Sequence, residues 1–238
     1  MQPNPQPLPW DSKWLGYPVA RLVVPAQHAL ASLAPTVAHC RATGVRLLYL
    51  VIAPEDNLTE AAAQAAGAWL ADVKRTYRLE LTTFPGPVLP SGEVLVLPTQ
   101  ALTADLEQLA WQSGAFSRFR RDARIGSPAF EALYSRWLHQ SLVEGKVWAA
   151  SVDGKAMGML AVAFRPQYVN IDLVAVSPAA RRRGVGQLLL HAAAHEAQRL
   201  GHPALQVVTQ GANRAACEFY ERFGFRLLHT EQVYHLWL

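Results

Sequence analysis

One stretch limits what this chain can fold into more than any other: Val174-Ala175-Val176-Ser177-Pro178-Ala179-Ala180-Arg181-Arg182-Arg183-Gly184-Val185-Gly186-Gln187, followed by an apolar run. An apolar strand ends at a proline. A short basic loop follows, then Gly-x-Gly, then a helix predicted from Gly184 to Leu200. The glycines let the backbone turn with its N–H groups facing inward. The helix that begins there adds the partial positive charge of its N-terminus, and the arginines add formal charge. Such a segment suits a pyrophosphate, with Arg181, Arg182, Arg183, Gly184, Val185, Gly186 and Gln187 as the binding set. A dinucleotide fingerprint would need a third small residue where Leu189 stands, and the Gly-Lys-Ser/Thr of a P-loop is absent.

The surrounding pattern is regular. Strands are expected at Glu93–Leu97, Lys146–Val152 and Lys155–Arg165, the last two flanking the hairpin signal Asp153-Gly154. Tyr168–Val176 and Ala204–Thr209 read as further strands, and two short strands close the chain. Helices are expected from Thr103 or Asp105 to Trp111, over Ser127–Leu142 and over Asn213–Phe223. Hairpins followed by strand–helix–strand–helix predict an α/β (α+β) fold: a mixed, mostly antiparallel sheet with helices on both faces.

The first part of the chain repeats the last. When Gly44 is laid on Gly201 (an offset of 157, which is 201 less 44), Leu48 falls on Leu205, Gly67 on Gly224, Tyr77 on Tyr234 and Leu81 on Leu238. No gap is needed, and both segments read strand, short helix, glycine, strand. The chemistry does not repeat: Tyr220 falls on Ala63, Asn213 on Asp56, and the arginine loop on Val24–Ala29, which contains no glycine. Residues 83–92, rich in proline and glycine, read as a linker. The expected organisation is a degenerate half-domain over 1–82 and a catalytic domain over 93–238. The first would pack on the second and wall the acceptor site. Deleting the first half should abolish acetylation of the true substrate, even if a fragment from Glu93 onward could still bind coenzyme.

Composition removes several classes. With 238 residues, 51% of them hydrophobic, a sizeable core can be buried and wholesale disorder is excluded. Two cysteines make no disulfide framework and lack ligand spacing, and His191 and His195, four apart on a helix, lack the glutamate of a zinc protease motif and read as solvated, so no metal is expected. The net charge of +4 carries no basic stripe with interleaved aromatics, which argues against nucleic acid. No apolar run reaches the ~18 residues of a membrane span. A cytoplasmic location is therefore expected.

Arg181-x-x-Gly184-x-Gly186 after a Val-x-Val-x-Pro strand resembles the acetyl-coenzyme A motif of the Gcn5-related N-acetyltransferases (GNAT). The segment Asn213-Arg214-Ala215-Ala216-Cys217-Glu218-Phe219-Tyr220, followed by Gly224-Phe225, resembles that family's helix beside the thioester. The resemblance implies the GNAT fold and acetyl-coenzyme A as co-substrate. It implies Tyr220 as the acid that protonates the leaving thiolate and the backbone N–H of Val174 as oxyanion donor. Val176 would bind the pantetheine arm like an added strand, and Asn213 would assist. Asp172, on the same strand, is the candidate base; with Ile171 and Leu173 on one face, it is expected to point to the other.

A narrower resemblance is to the dTDP-4-amino-sugar (dTDP-fucosamine) N-acetyltransferases. It rests on Leu8-Pro9-Trp10-Asp11-Ser12, Ser117-Arg118-Phe119-Arg120-Arg121-Asp122, Tyr134-Ser135-Arg136-Trp137, Val208-Thr209-Gln210 and Tyr234-His235-Leu236-Trp237-Leu238. It implies a small-molecule amine acceptor, in its sharper form a nucleotide-linked 4-amino sugar. Acetylation of a peptide or antibiotic amine, and a coenzyme A-binding sensor without turnover, are the alternatives. A homodimer is left open.

Overall fold

In the computed structural model the described residues are 4–24, 29–82, 84 and 94–238. The predicted linker 83–92 lies outside them, apart from Phe84. The first half comprises β1 (Gln6–Pro7), α1 (Pro9–Leu15), β2 (Val19–Val23), α2 (Ala29–Ala42), β3 (Leu47–Ile52), α3 (Asn57–Ala65) and β4 (Trp69–Glu80). The second comprises β5 (Leu95–Thr99), α4 (Ala104–Ser113), α5 (Arg118–Arg121), α6 (Ser127–Glu144), β6 (Lys146–Val152), β7 (Lys155–Arg165) and β8 (Tyr168–Val176). It continues through α7 (Val185–Arg199), β9 (Ala204–Gln210), α8 (Arg214–Phe223) and β10 (Arg226–Trp237). The chain ends in one long strand rather than the two short ones expected.

The described strands form a single sheet, in the order β1-β2-β3-β10-β4-β9-β8-β7-β6-β5. Only β2–β3 and β8–β9 run parallel. Each parallel pair needs a crossover, and α2 and α7 supply it. The apolar residues of β7 alternate: Leu160 and Val162 pack under α7 and α8, while Met159 and Ala161 pack under α4 and α6. The first half divides in the same way, with Leu48 and Leu50 under α2 and α3 and Leu47 and Tyr49 on the other side. The sheet is thus covered on both faces.

The repeat is reproduced element by element. β3, α3 and β4 begin at 47, 57 and 69; β9, α8 and β10 begin at 204, 214 and 226. The glycines that end the two short helices, Gly67 and Gly224, both take positive φ, 91° and 111°. The pairing of β4 with β10 shows how the halves are related. Arg78 opposes Arg226 and Trp69 opposes His235, two pairs that exchange under the 157 offset. Lys74 opposes Glu231, its own counterpart, and the two form an ion pair at 3.5 Å. A pseudo-two-fold axis therefore passes through Lys74 and Glu231.

This symmetry changes the expected organisation. The halves do not pack side by side. β4 of the first half lies between β9 and β10 of the second, and β10 lies between β3 and β4. Each half completes its sheet with the last strand of the other. A fragment beginning at Glu93 would leave β9 and β10 without the strand between them.

Candidate active site

The site begins where two parallel strands stop pairing. β8 and β9 are joined at Val169–Leu205, Asn170–Gln206 and Ile171–Val207 and no further. Beyond Ile171, β8 continues against β7, with Val174 opposite Leu160 and Val176 opposite Gly158. Beyond Val207, β9 continues against β4. The strands diverge into a wedge, leaving strand edge at 172–176 that an extended ligand can pair with.

At the mouth of the wedge lies the arginine loop. Gly184 caps α7 with φ 78°, a conformation that strains any residue with a side chain, and a Cβ there would meet nothing within 4 Å. Gly186 is close-packed: a Cβ there would lie 3.0 Å from the Phe219 ring, which would have to shift to admit it. Val185 is buried against the sheet, while Arg181, Arg182, Arg183 and Gln187 are exposed. Arg181 is tied back by its Nε to the Val176 carbonyl at 3.2 Å. The sequence-predicted pyrophosphate residues thus form one contiguous turn at the N-terminus of α7.

Tyr220 and Asn213 come from α8, on the other side of the wedge. Tyr220 is 3% exposed, packed among Tyr77, Phe219 and Phe225, and burial pushes its phenol above the ordinary tyrosine range. It is held protonated, as a proton donor must be. Asn213 Oδ1 accepts from Ala216 N–H at 3.2 Å and so caps α8. Its counterpart Asp56 caps α3 in the same way, accepting from Thr59 N–H at 3.0 Å.

Asp172 departs from the expected geometry. Ala161 pairs with Leu173 and Val162 with Ile171, so Asp172 is the extra residue of a β-bulge. The bulge reverses the alternation: Ile171 packs under α7 and α8, Leu173 under α4 and α6. The two do not share a face. The Asp172 carboxylate accepts from Asn170 Nδ2 at 2.6 Å. Burial raises its carboxyl, against the pull of Asn170, Trp137 and the Arg165 charge.

Val174, Asp172, Asn213 and Tyr220 line one cavity of about 630 Å³. Val176 and residues 181–187 lie outside its lining, towards the mouth of the wedge. Trp10, Asp11, Asp72 and Lys74 of the first half also line it. So do Ser117, Arg118, Tyr134 and Trp137, on α5, α6 and the cap between α4 and α5. Many of these stand in the segments that carry the narrower resemblance, and two of those segments meet directly. Asp122 Oδ2 accepts from Trp237 Nε1 at 3.0 Å and lies 2.6 Å from His235 Nδ1. That buried contact ties the α5 segment to β10. Arg118 stacks on Tyr49 and Phe119, at 4.7 and 4.2 Å from the ring centres. Sequence reading missed Asp72 and Lys74, because only the strand exchange brings β4 to this site; no local signal marks it.

The model of the acetyltransferase (GNAT) family matches residues 105–225. The chain belongs to the GNAT acetyltransferase family. It is similar to a spore coat polysaccharide biosynthesis protein, SpsD, of Bacillus subtilis: 26% identical over 143 residues, 59% of this chain and 49% of that protein. It is similar to a mycothiol acetyltransferase of Thermomonospora curvata, 24% identical over 75% of this chain and 60% of the relative. A Rhodococcus jostii mycothiol acetyltransferase is 31% identical over 37% of this chain and 30% of its own length. The chain therefore spans less than two thirds of the length of each of these relatives, from 30% to 60%. Among solved structures it resembles a tandem GNAT protein from the clavulanic acid biosynthesis pathway, with TM-score 0.62 and 17% identity over 93% of this chain and 76% of that one. A GCN5-related N-acetyltransferase from Sphaerobacter thermophilus gives TM-score 0.65 and 14% identity over 98% and 76%. These likenesses establish the fold.

Proposed function

We propose that this protein transfers the acetyl group of acetyl-coenzyme A to a primary amine of a small molecule, by direct attack of the amine on the thioester. The observation that carries this reading is the wedge between β8 and β9, with the arginine turn at its mouth and Tyr220 buried in its wall. The turn at Arg181–Gln187 holds the pyrophosphate through backbone N–H groups. The pantetheine arm pairs with the free edge around Val176, and the Val174 N–H receives the oxyanion. Asn213 presents its amide to the arm. Tyr220 gives its proton to the leaving thiolate. Asp172 and a second carboxylate, Asp72, line the cavity that the amine would enter.

For the acceptor we propose a nucleotide-linked 4-amino sugar. Support comes from the cavity, where the tryptophans Trp10 and Trp137 and the charged groups Asp11, Asp72, Lys74 and Arg118 suit a polar ring carrying both an amine and anionic groups. The name of the SpsD relative, a polysaccharide biosynthesis protein, supports a sugar acceptor.

Tyr220→Phe tests the core of the proposal. Calorimetry should find acetyl-coenzyme A binding unchanged, and thiol release with a dTDP-4-amino sugar should slow by roughly 10²-fold, the usual worth of a placed general acid. Turnover equal to wild type removes Tyr220 from the chemistry. A wild-type protein that binds no acetyl-coenzyme A ends the proposal.

A further inference from the structure

We infer that Asp72, contributed by the half that lacks every coenzyme-binding feature, receives the proton of the acceptor amine. The inference rests on the acetyltransfer reading above and assigns one step of it. Asp72 is 1% exposed, lines the cavity shared by Val174, Asn213 and Tyr220, and one of its carboxylate oxygens, Oδ1, has no hydrogen-bond partner. An unpaired buried carboxylate oxygen is costly unless a ligand meets it.

The pseudo-symmetry shows that this exposure to the cavity is specific to one half. The counterpart of Asp72 is His229. In the symmetric pairing His229 opposes Thr76, and the two side chains hydrogen-bond at 3.2 Å. Asp72 opposes Val233, the counterpart of Thr76, which offers no donor. His229 is exposed, whereas Asp72 is buried and lines the cavity. A bulge precedes each of the two, at Ala71 and at its counterpart Leu228, so the difference between them lies in what surrounds the side chains and not in the strand register. Asp172 is less free, since Asn170 already donates to it at 2.6 Å.

The groups facing Asp72 are Arg118 and Arg121 of α5, Lys74 of its own strand, Tyr134 of α6 and, through Arg118, Asp11 of α1. Burial pushes the Asp72 carboxyl up to about 6, with Arg118, Lys74 and Arg121 holding it from rising further. Its charged form therefore prevails at neutral pH while it remains a usable base.

The step balances as follows. The acceptor enters as an ammonium ion and gives one proton to Asp72, directly or through a water. The freed lone pair forms the N–C bond, and the C–S bond breaks as the intermediate collapses. The thiolate takes the Tyr220 proton, the acylated nitrogen returns one to Tyr220, and Asp72 releases its proton to solvent. The products are the amide, the coenzyme thiol and one proton.

The test compares Asp72→Asn with wild type, using a dTDP-4-amino sugar and hydroxylamine, which is already largely neutral at pH 7. With the sugar, kcat/KM of the wild type should rise with pH through about 6. Asp72→Asn should lower it at least tenfold and remove that limb, while acetyl transfer to hydroxylamine falls much less. Asp172→Asn should keep the limb whatever it does to the rate. A second readout needs no acceptor. A carboxyl whose pKa is raised in the fold weakens the fold when ionised, so Asp72→Asn should melt higher than wild type above pH 6, and the difference should shrink as pH falls from 6 towards 4. If Asp72→Asn does not fold, Asp72→Ser takes its place. A retained limb, or equal losses with both acceptors, overturns the inference and leaves the transferase reading standing. A wild type that acetylates neither amine overturns both.

Discussion

Residues 44–81 and 201–238 have the same skeleton and opposite contents. Both run strand, nine- or ten-residue helix, glycine, twelve-residue strand. Both cap the helix with an Asx side chain. Where the second has Tyr220 the first has Ala63, fully buried. The larger difference lies upstream. Val169 pairs with Leu205, 36 residues on; Val19 pairs with Leu47, only 28 on. The two crossover helices end at equivalent positions, Ala42 and Arg199, so the eight missing residues lie before α2. The extended end of β8 and the arginine turn have no room in the first half. Its counterpart residues 25–28 lie outside those described. The first half lacks the counterpart of Tyr220 and supplies the strand that the other half needs.

The largest effect that could break this comparison is removal of the first half. Deleting residues 1–82 takes out β4, which pairs with β9 from Ala204 to Gln210 and with β10 from Arg226 to His235. It also strips Tyr77, Leu79 and Leu81 from the core under α8. Losing three buried side chains at about 2–5 kcal/mol each is comparable to the whole stability of a typical domain, before the lost strand pairing is counted. The fragment should show no cooperative thermal transition by circular dichroism. A fragment that melts cooperatively and binds acetyl-coenzyme A would restore the picture of two separable domains.

Next in size is the turn that the halves do not share. Gly184→Val places a branched residue at φ 78°. The space around it is open, so the protein should still fold, with the turn strained by about 1–2 kcal/mol. Acetyl-coenzyme A affinity should fall by an order of magnitude or more as backbone donors leave their positions, while wild type titrates with one coenzyme per chain. A stoichiometry near two would mean that the first half kept a site after all.

The degree to which the sequence disclosed this molecule follows from the range of each interaction. Helices and hairpins were legible because caps, Gly turns and periodicity act over a few residues; Asp153-Gly154 and Asn213 lie where local chemistry puts them. The arginine turn and the repeat were legible too, since each is a contiguous pattern. The strand exchange was not. Whether β4 adds to the outside of its own half or inserts between β9 and β10 is decided by long-range pairing, and either choice satisfies its alternation. Asp72 was invisible for the same reason. The Asp172 bulge was missed because a strand's period of two gives no sign of one inserted residue.

The smallest expected effect separates what the two caps have in common from what they do not. Asp56→Ala and Asn213→Ala each remove the side-chain acceptor from a helix N-terminus, and each should cost about 1 kcal/mol of stability. The losses should be similar because the helices are of similar length and packed on the same face of the sheet; Asp56 also holds the Thr59 hydroxyl, which places its loss at the higher end. Binding should diverge. Asn213 lines the cavity and Asp56 does not. Asn213→Ala should therefore raise the KM for acetyl-coenzyme A several-fold, the amide having lost a hydrogen bond worth about 0.5–1.5 kcal/mol. Asp56→Ala should leave that KM unchanged at a temperature where both variants are folded. Asn213→Asp sharpens the comparison, since it puts the first half's cap into the second. The cap survives and stability returns, but the amide donor does not, so KM should stay high. If Asn213→Asp restores KM along with stability, the position is a helix cap in both halves and the coenzyme draws nothing from it.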